Sequence, residues 1–305
     1  MEITIATRGS ALALWQANHI KALIEAEHPS VVVALNIIKT SGDKIQDVPL
    51  AKIGGKGLFV KEIEEALLAG TADLAVHSMK DVPVALPDSL EIFANPRRES
   101  PFDALLSVKF NDIHSLPAGA IVGTSSLRRK LQLLSLNPNL VIKDLRGNVD
   151  TRIRKLLDGE YDAIILAQSG LNRLGQIEHI RETIAADAML PAICQGALGI
   201  EVRKDDSSVK ALLAFLKDKD TETALTAERA YLTKLEGGCQ APIGGYATLQ
   251  NGKLLLQGFL SDLEGKRIIK DQLEGKVEDA AKIGTALAEK ILAAGGAAIL
   301  KEIYK

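Results

Sequence analysis

Cysteine is almost absent from this chain: Cys194 and Cys239 are the only two among 305 residues, too few and too far apart for a disulfide framework or a zinc site. The five histidines show no ligand spacing, so no metal is expected. No apolar run reaches the roughly 20 residues of a membrane span. Met1-Glu-Ile-Thr-Ile5 reads as a strand, with no basic segment or cleavage site ahead of it. These absences predict a cytoplasmic protein with no membrane partner. The formal charge of −2 lacks the basic excess of a nucleic-acid binder. A phosphate loop of the form Gly-x-x-x-x-Gly-Lys-Ser/Thr is missing, since Gly54-Gly-Lys-Gly57 is too short. No arrangement of nucleophile, histidine and acid for acyl transfer is visible either.

What is present is ordinary globular composition, 47% hydrophobic and 25% charged, in a chain long enough for two or three domains. Residues 1–95 alternate strand and helix: Ile3 to Ala6, a helix from about Ser10 to Glu27, then Val31 to Ile38. Leu12, Trp15, Ile20, Leu23 and Ile24 give the helix one apolar face, and Ser10 can cap it. Arg8-Gly9-Ser10 therefore lies at a strand-to-helix junction, where backbone N–H groups and a cation can meet an anion. A plain turn with a solvated arginine explains that stretch equally well. Thr40 to Gly57 has no apolar period, four glycines (Gly42, Gly54, Gly55, Gly57) and three spaced lysines, and reads as a mobile loop, in this setting a lid. Leu58 to Ala69 resumes a helix, which Gly70 ends.

Nine of the thirteen arginines lie between Arg97 and Arg181, inside a second α/β stretch with strands near Ala104 to Val108, Ala120 to Gly123, Val141 to Lys143 and Ala163 to Ala167. Gly123-Thr-Ser-Ser-Leu-Arg-Arg129 is a strand end, a hydroxyl run and a helix start, so Ser125, Ser126 and the first amides can receive an anion beside Arg128 and Arg129. Leu145-Arg146-Gly147-Asn148, with Arg152, repeats the arrangement one strand later, and Arg173 follows the next. A lone arginine pair is usually a solvated helix face. Four junctions bearing arginine point instead to a basic cleft for carboxylates or phosphates.

Leu198 to Arg203 is an apolar strand able to return to the first domain, which would make a hinge of two crossings. Beyond Asp218 come a helix to Leu235, the turn Glu236 to Gly245, strands at Tyr246 to Leu249, Lys253 to Leu260 and Arg267 to Leu273, and a helix from Val277 to Ala293. The domains are thus read as 1–96 with 197–217, 97–196 and 218–305. The expected fold is α/β: two doubly wound domains and a small C-terminal α+β domain.

One stretch stands apart. Leu74-Ala-Val-His-Ser-Met-Lys-Asp-Val-Pro83 is a short buried strand that stops on Lys80-Asp81, and ligands of open α/β sheets sit past such strand ends. Pro83 pushes Val82 to an extended conformation, so the chain is expected to leave without entering a helix. The competing reading is a surface ion pair worth about 0–1 kcal/mol.

Six segments in one order resemble the porphobilinogen deaminase (hydroxymethylbilane synthase) family. They are Ala6 to Gln16, Gly54 to Glu62, His77 to Pro83, Gly123 to Arg129, Leu145 to Asn148 and Glu236 to Gln240. Ile193-Cys194-Gln195-Gly196 departs from the family pattern, which usually has Gly at position 194. The resemblance implies two domains like periplasmic binding proteins and a third carrying a cysteine. It implies a cytoplasmic, monomeric transferase of haem biosynthesis, which joins four porphobilinogen molecules head to tail with loss of four ammonia and releases hydroxymethylbilane by hydrolysis. It also implies a dipyrromethane cofactor held by a thioether to Cys239, with Asp81 as the catalytic carboxylate. Arg8, Ser10, Lys80, Thr124, Ser126, Arg128, Arg129, Arg146, Asn148, Arg152, Arg173 and Gln195 then bind the cofactor and the growing chain.

The chemistry of the residues agrees. Each porphobilinogen ring brings two carboxylates, which arginine binds in forked pairs. Loss of ammonia leaves a cationic ring that a carboxylate can stabilise. A binder of small polyanions would explain the arginines but not Cys239, and a phosphoryl-handling enzyme lacks its loop. Cys194, in an apolar setting, is expected to be an inert buried thiol.

Overall fold

The computed structural model describes residues 1–44, 60–236 and 241–304. They form two compact units, Met1–Glu99 with Ala197–Glu222, and Ser100–Gly196 with Thr223–Lys305.

The first unit is built on a five-stranded sheet of β1 (Glu2–Arg8), β2 (Val32–Ile38), β3 (Leu74–Ser78), β4 (Leu90–Ala94) and, from far along the chain, β10 (Leu198–Arg203). Their order is β2-β1-β3-β10-β4. The first three strands are parallel, and β10 runs antiparallel between β3 and β4. Leu74 to His77 are buried on both sides of the sheet, which is why β3 reads as an unbroken run rather than an alternation. Helix Ala11–Glu27 covers one face, with Ala17, Ile20 and Ile24 packed on Ile3, Ile5, Val33 and Val76. Helix Lys61–Leu68 covers the other through Ile63 and Leu67, against Ala6 and Ala75.

The second unit holds two sheets. One has β5 (Asp103–Leu106), β6 (Ile121–Gly123), β7 (Val141–Lys143), β8 (Ala163–Ala167) and β9 (Ile180–Ile184), in the order β7-β6-β8-β5-β9. Here too the sheet is mixed, with β6 parallel to β7 and β8, and β5 antiparallel to β8 and β9. The other is an antiparallel meander of β11 (Ile243–Gln250), β12 (Lys253–Ser261) and β13 (Ile268–Lys276). Asn251 and Gly252 both have positive φ, 53° and 73°, as the two-residue turn between β11 and β12 demands. β11 starts three residues before the expected Tyr246, because Gly244 and Gly245 let the strand run against the carbonyls of Leu190 and Pro191; Gly245 N–H donates to Pro191 O at 3.0 Å.

The single helix expected from Val277 to Ala293 is corrected to a longer stretch of two helices. Val277–Ile303, 27 residues containing an 18-residue window of mean hydropathy 1.5, is long and apolar enough to cross a membrane by length and composition alone. Two helices, Ala280–Ile291 and Ala297–Ile303, make it up, with Gly295 at φ 111° between them. It is apolar because Ile283 packs at Gly275 of β13 and Ile291 at Gly258 of β12, leaving no room for a larger residue at either glycine.

Candidate functional site

In the first unit, β1 and β3 end side by side, and the groups expected there come together. Arg8, Ser10, Gln16, Ile63, His77 and Asp81 line one small cleft of about 80 Å³. Ser10 caps helix Ala11–Glu27, its Oγ accepting from Ala13 N–H at 3.3 Å. The buried Gln16 donates through Nε2 to Ser78 Oγ at 2.9 Å, which ties the helix to the end of β3. The chain does enter a helical turn after β3, contrary to expectation. Met79–Asp81 form a single 3-10 turn, anchored by buried Met79, whose N–H donates to Ala197 O at 3.0 Å. Val82, at φ −79° and ψ 124°, is extended ahead of Pro83 as expected. The turn leaves both Lys80 and Asp81 exposed, Asp81 at the cleft.

A feature not foreseen lies at the cleft floor. His77 Nε2 is 2.8 Å from Glu201 Oε2, the histidine 6% and the glutamate 1% exposed. A glutamate between Ile200 and Val202, inside an apolar strand, was the available signal.

In the second unit, helix Leu127–Leu136 starts at Ser126, whose Oγ accepts from Arg129 N–H at 3.4 Å. Thr124 is buried, its Oγ1 accepting from Ser126 N–H at 3.2 Å. Arg128 and Arg129 turn inward onto the fully buried Asp103. Arg128 Nη1 lies 2.8 Å from Asp103 Oδ2 and donates to Leu190 O at 2.7 Å. Arg129 donates to Asp103 Oδ1 through Nη2 and Nε, at 2.7 and 3.1 Å, and to Ile165 O through Nη1 at 3.0 Å. Gln195 completes the network, its Nε2 donating to Asp103 Oδ1 at 2.9 Å and Pro101 O at 2.7 Å. Burial would raise the Asp103 carboxyl, but the two guanidiniums outweigh it and hold it well below the usual carboxylate range.

Asn148 caps helix Val149–Leu157, its Oδ1 accepting from Thr151 N–H at 2.9 Å. Arg152 Nε donates to Gly147 O at 2.8 Å. Burial, then the positive charges of Arg129 and Arg146, lower Arg152 to about 10. Arg152 thus lies close enough to two other guanidiniums to be destabilised by them, an arrangement that a polyanion relieves. Arg173 is buried and donates through Nη2 to Gly196 O at 2.7 Å. Cys194 is buried, as expected. Cys239 and most of the expected lid, residues 45–57, lie outside the described residues; Ser41–Lys44 before them is a single helical turn.

A carboxylate beside donors at a strand end and a clustered set of arginines define an α/β protein that handles a small, multiply charged carboxylate. Residues 3–211 match the family model described as "Porphobilinogen deaminase, dipyromethane cofactor binding domain", and residues 223–293 that described as "Porphobilinogen deaminase, C-terminal domain". The chain is 56% identical over 303 residues to a porphobilinogen deaminase from Maridesulfovibrio salexigens, covering 99% of this chain and 98% of that one. It is 57% identical to one from Nitratidesulfovibrio vulgaris, covering 99% and 96%. The chain belongs to the porphobilinogen deaminase family. Among solved structures it is similar to the periplasmic aliphatic sulphonate binding protein of Escherichia coli, at 12% identity and a TM-score of 0.41, covering 77% of this chain and 70% of that one.

Proposed function

We infer that Asp81 is the carboxylate at which porphobilinogen rings are joined in this enzyme, and that Cys239 carries the dipyrromethane. The chain is a transferase of tetrapyrrole biosynthesis that joins four porphobilinogen molecules head to tail, loses four ammonia and releases hydroxymethylbilane by hydrolysis. The observation that carries Asp81 is its position at a cleft with Arg8, Ser10 and Gln16. No other carboxylate lines that cleft among the described residues. There an ionised carboxylate stabilises the cation left when the aminomethyl C–N bond breaks. It then accepts the proton lost from the attacking ring.

The cofactor fits the donors of the second unit. Arg146 and Arg152, close to Arg129, supply forked contacts for its carboxylates, and Thr124, Ser126 and Arg173 are read as further donors to it. Arg128 and Arg129 already share Asp103, so they are held in one orientation before any ligand arrives. When bound, a dipyrromethane supplies the free ring position on which elongation starts. Lys80 and Arg8 serve the substrate's own carboxylates, and Asn148 and Gln195 act by fixing the helix start and Asp103 respectively.

We also read the second unit as two domains, 97–196 and 218–305, each with its own sheet, and the protein as a cytoplasmic monomer without nucleic-acid or membrane partners. The charge of −2 supports that reading.

Intact-mass measurement tests the attachment. The purified protein should carry the added mass of one dipyrromethane; Cys239→Ser should lose both mass and activity, and Cys194→Ser neither. An adduct that survives Cys239→Ser overturns the assignment. Asp81→Asn should keep the adduct and slow ammonia release by about 10²–10³, and wild-type release by that variant removes Asp81 from the reaction.

A further inference from the structure

The His77–Glu201 pair has no part in the reaction as stated so far, yet its placement is costly. Glu201 sits in the interior strand β10, 1% exposed, and its Oε1 has no hydrogen-bond partner among the described residues. A half-satisfied buried carboxylate costs several kcal/mol, which a leucine there would not. Glu201 and His77 are diagonal neighbours on one face of the sheet, since Glu201 pairs with Ala75 and His77 with Gly199. His77 is thereby held between the glutamate and the cleft that it lines together with Asp81.

The geometry also selects the tautomer. With Nε2–H donated to Glu201, the other ring nitrogen, Nδ1, is the basic one, and among the described residues nothing else hydrogen-bonds the ring. A carboxylate behind an imidazole that lines the same cleft as Asp81 is an arrangement suited to proton transfer.

We propose that His77, backed by Glu201, takes from Asp81 the proton that Asp81 acquires at each ring-joining step, and so returns Asp81 to its carboxylate form before the next. This rests on Asp81 being the carboxylate at the reacting ring. In the step, the O–H bond of protonated Asp81 breaks and an N–H bond forms at His77 Nδ1, directly or through one water. Asp81 becomes an anion and the imidazole becomes imidazolium, facing ionised Glu201. The imidazolium then gives its proton to water, which returns His77 to its neutral form for the next step. His77 is a positioning residue in this scheme, acting on the substrate through Asp81.

The charged groups around His77 are Glu201 from β10, Glu64 from helix Lys61–Leu68, Arg8 from the end of β1 and Asp81 from the turn. Glu64 is raised by burial and then by Glu201, with His77 partly countering this, so it lies in the same electrostatic cluster.

The test uses the enzyme with its cofactor attached. In His77→Gln the amide nitrogen replaces Nε2 and keeps the bond to Glu201, but no basic nitrogen remains. The expected result is an unchanged adduct mass and KM, a kcat lowered by about 10²-fold, the lower limit for positioned proton transfer, and partial recovery of rate with added imidazole. Glu201→Gln should keep the adduct and KM and lower kcat, because the group that holds the imidazole is changed. A wild-type kcat in His77→Gln overturns the proposal, as does a lowered kcat that added imidazole does not restore in part. Loss of the fold in both variants makes the pair a strut and overturns it as well. Asp81→Asn, measured alongside, separates the two failures: if it stays active, the role of Asp81 has failed, whatever His77 does.

Discussion

Asp103 is a buried anion between two buried cations, and its stability effect has a definite sign. Its folded carboxyl titrates below the unfolded value of about 3.9. The stabilisation is therefore fully present above that value and is lost as pH falls through the folded one. Removing one member of such a pair costs about 3–5 kcal/mol. Asp103→Asn should lose that much in urea titrations at pH 7, and the gap to wild type should narrow as the pH is taken below about 4. A gap independent of pH would mean that the lost term is packing. Cys194 presents a different problem, a side chain at φ 61°, where L residues are strained by about 1–3 kcal/mol. In Cys194→Gly the relief is offset by chain entropy and a lost buried thiol, so stability should change by less than about 1 kcal/mol. Cys194→Val puts a β-branched residue there and should cost more than about 2 kcal/mol. Equal melting temperatures for the two variants would refute the strain argument.

At this scale the sequence was legible where a residue type announces its chemistry. The capping residues Ser10, Ser126 and Asn148 stand where the strand-to-helix junctions put them. It was not legible for partners brought together by folding. Asp103 and Gln195 are 92 residues apart, and His77 and Glu201 are 124 apart. Nothing local in Asp103-Ala-Leu-Leu106 says that its acid faces two arginines rather than water.

Among the elements, long apolar periods were read well and short or polar strands poorly. Helix Ala11–Glu27 follows from its apolar spacing and its cap. β9, Ile180-Arg-Glu-Thr-Ile184, is an edge strand with only Ile184 buried, and its sequence carries too little apolar pattern to be seen. Close helix packing was equally hidden. At Gly284, a methyl group would sit 2.2 Å from Ala227 O, 2.8 Å from Ala230 Cβ and 2.9 Å from Tyr231 N. Helix Ala280–Ile291 can approach helix Lys219–Lys234 only because that methyl is absent. Two of the three obstructing atoms are main chain, which cannot rotate aside, so Gly284→Ala should cost about 3 kcal/mol, read as a lower urea midpoint. Gly9→Ala is the control, at an exposed glycine where an added methyl would meet only Ile37 Cγ2 at an ordinary 3.5 Å. If the two variants unfold alike, the helices do not meet as described.

The molecule as a whole is threaded out of order, since β10 fills the gap between β3 and β4 only after the chain has run through an entire second sheet. During synthesis at about 5–20 residues per second, residues 1–99 leave the ribosome with a missing central strand. They must wait on the order of 5–20 s for residue 203, at that rate. The sheet of β5 to β9 is contiguous in sequence and can close first. The first domain to be translated is therefore the later to be completed. Until then the hydrogen-bonding edges of β3 and β4 stand open, the condition in which nascent chains most need a chaperone.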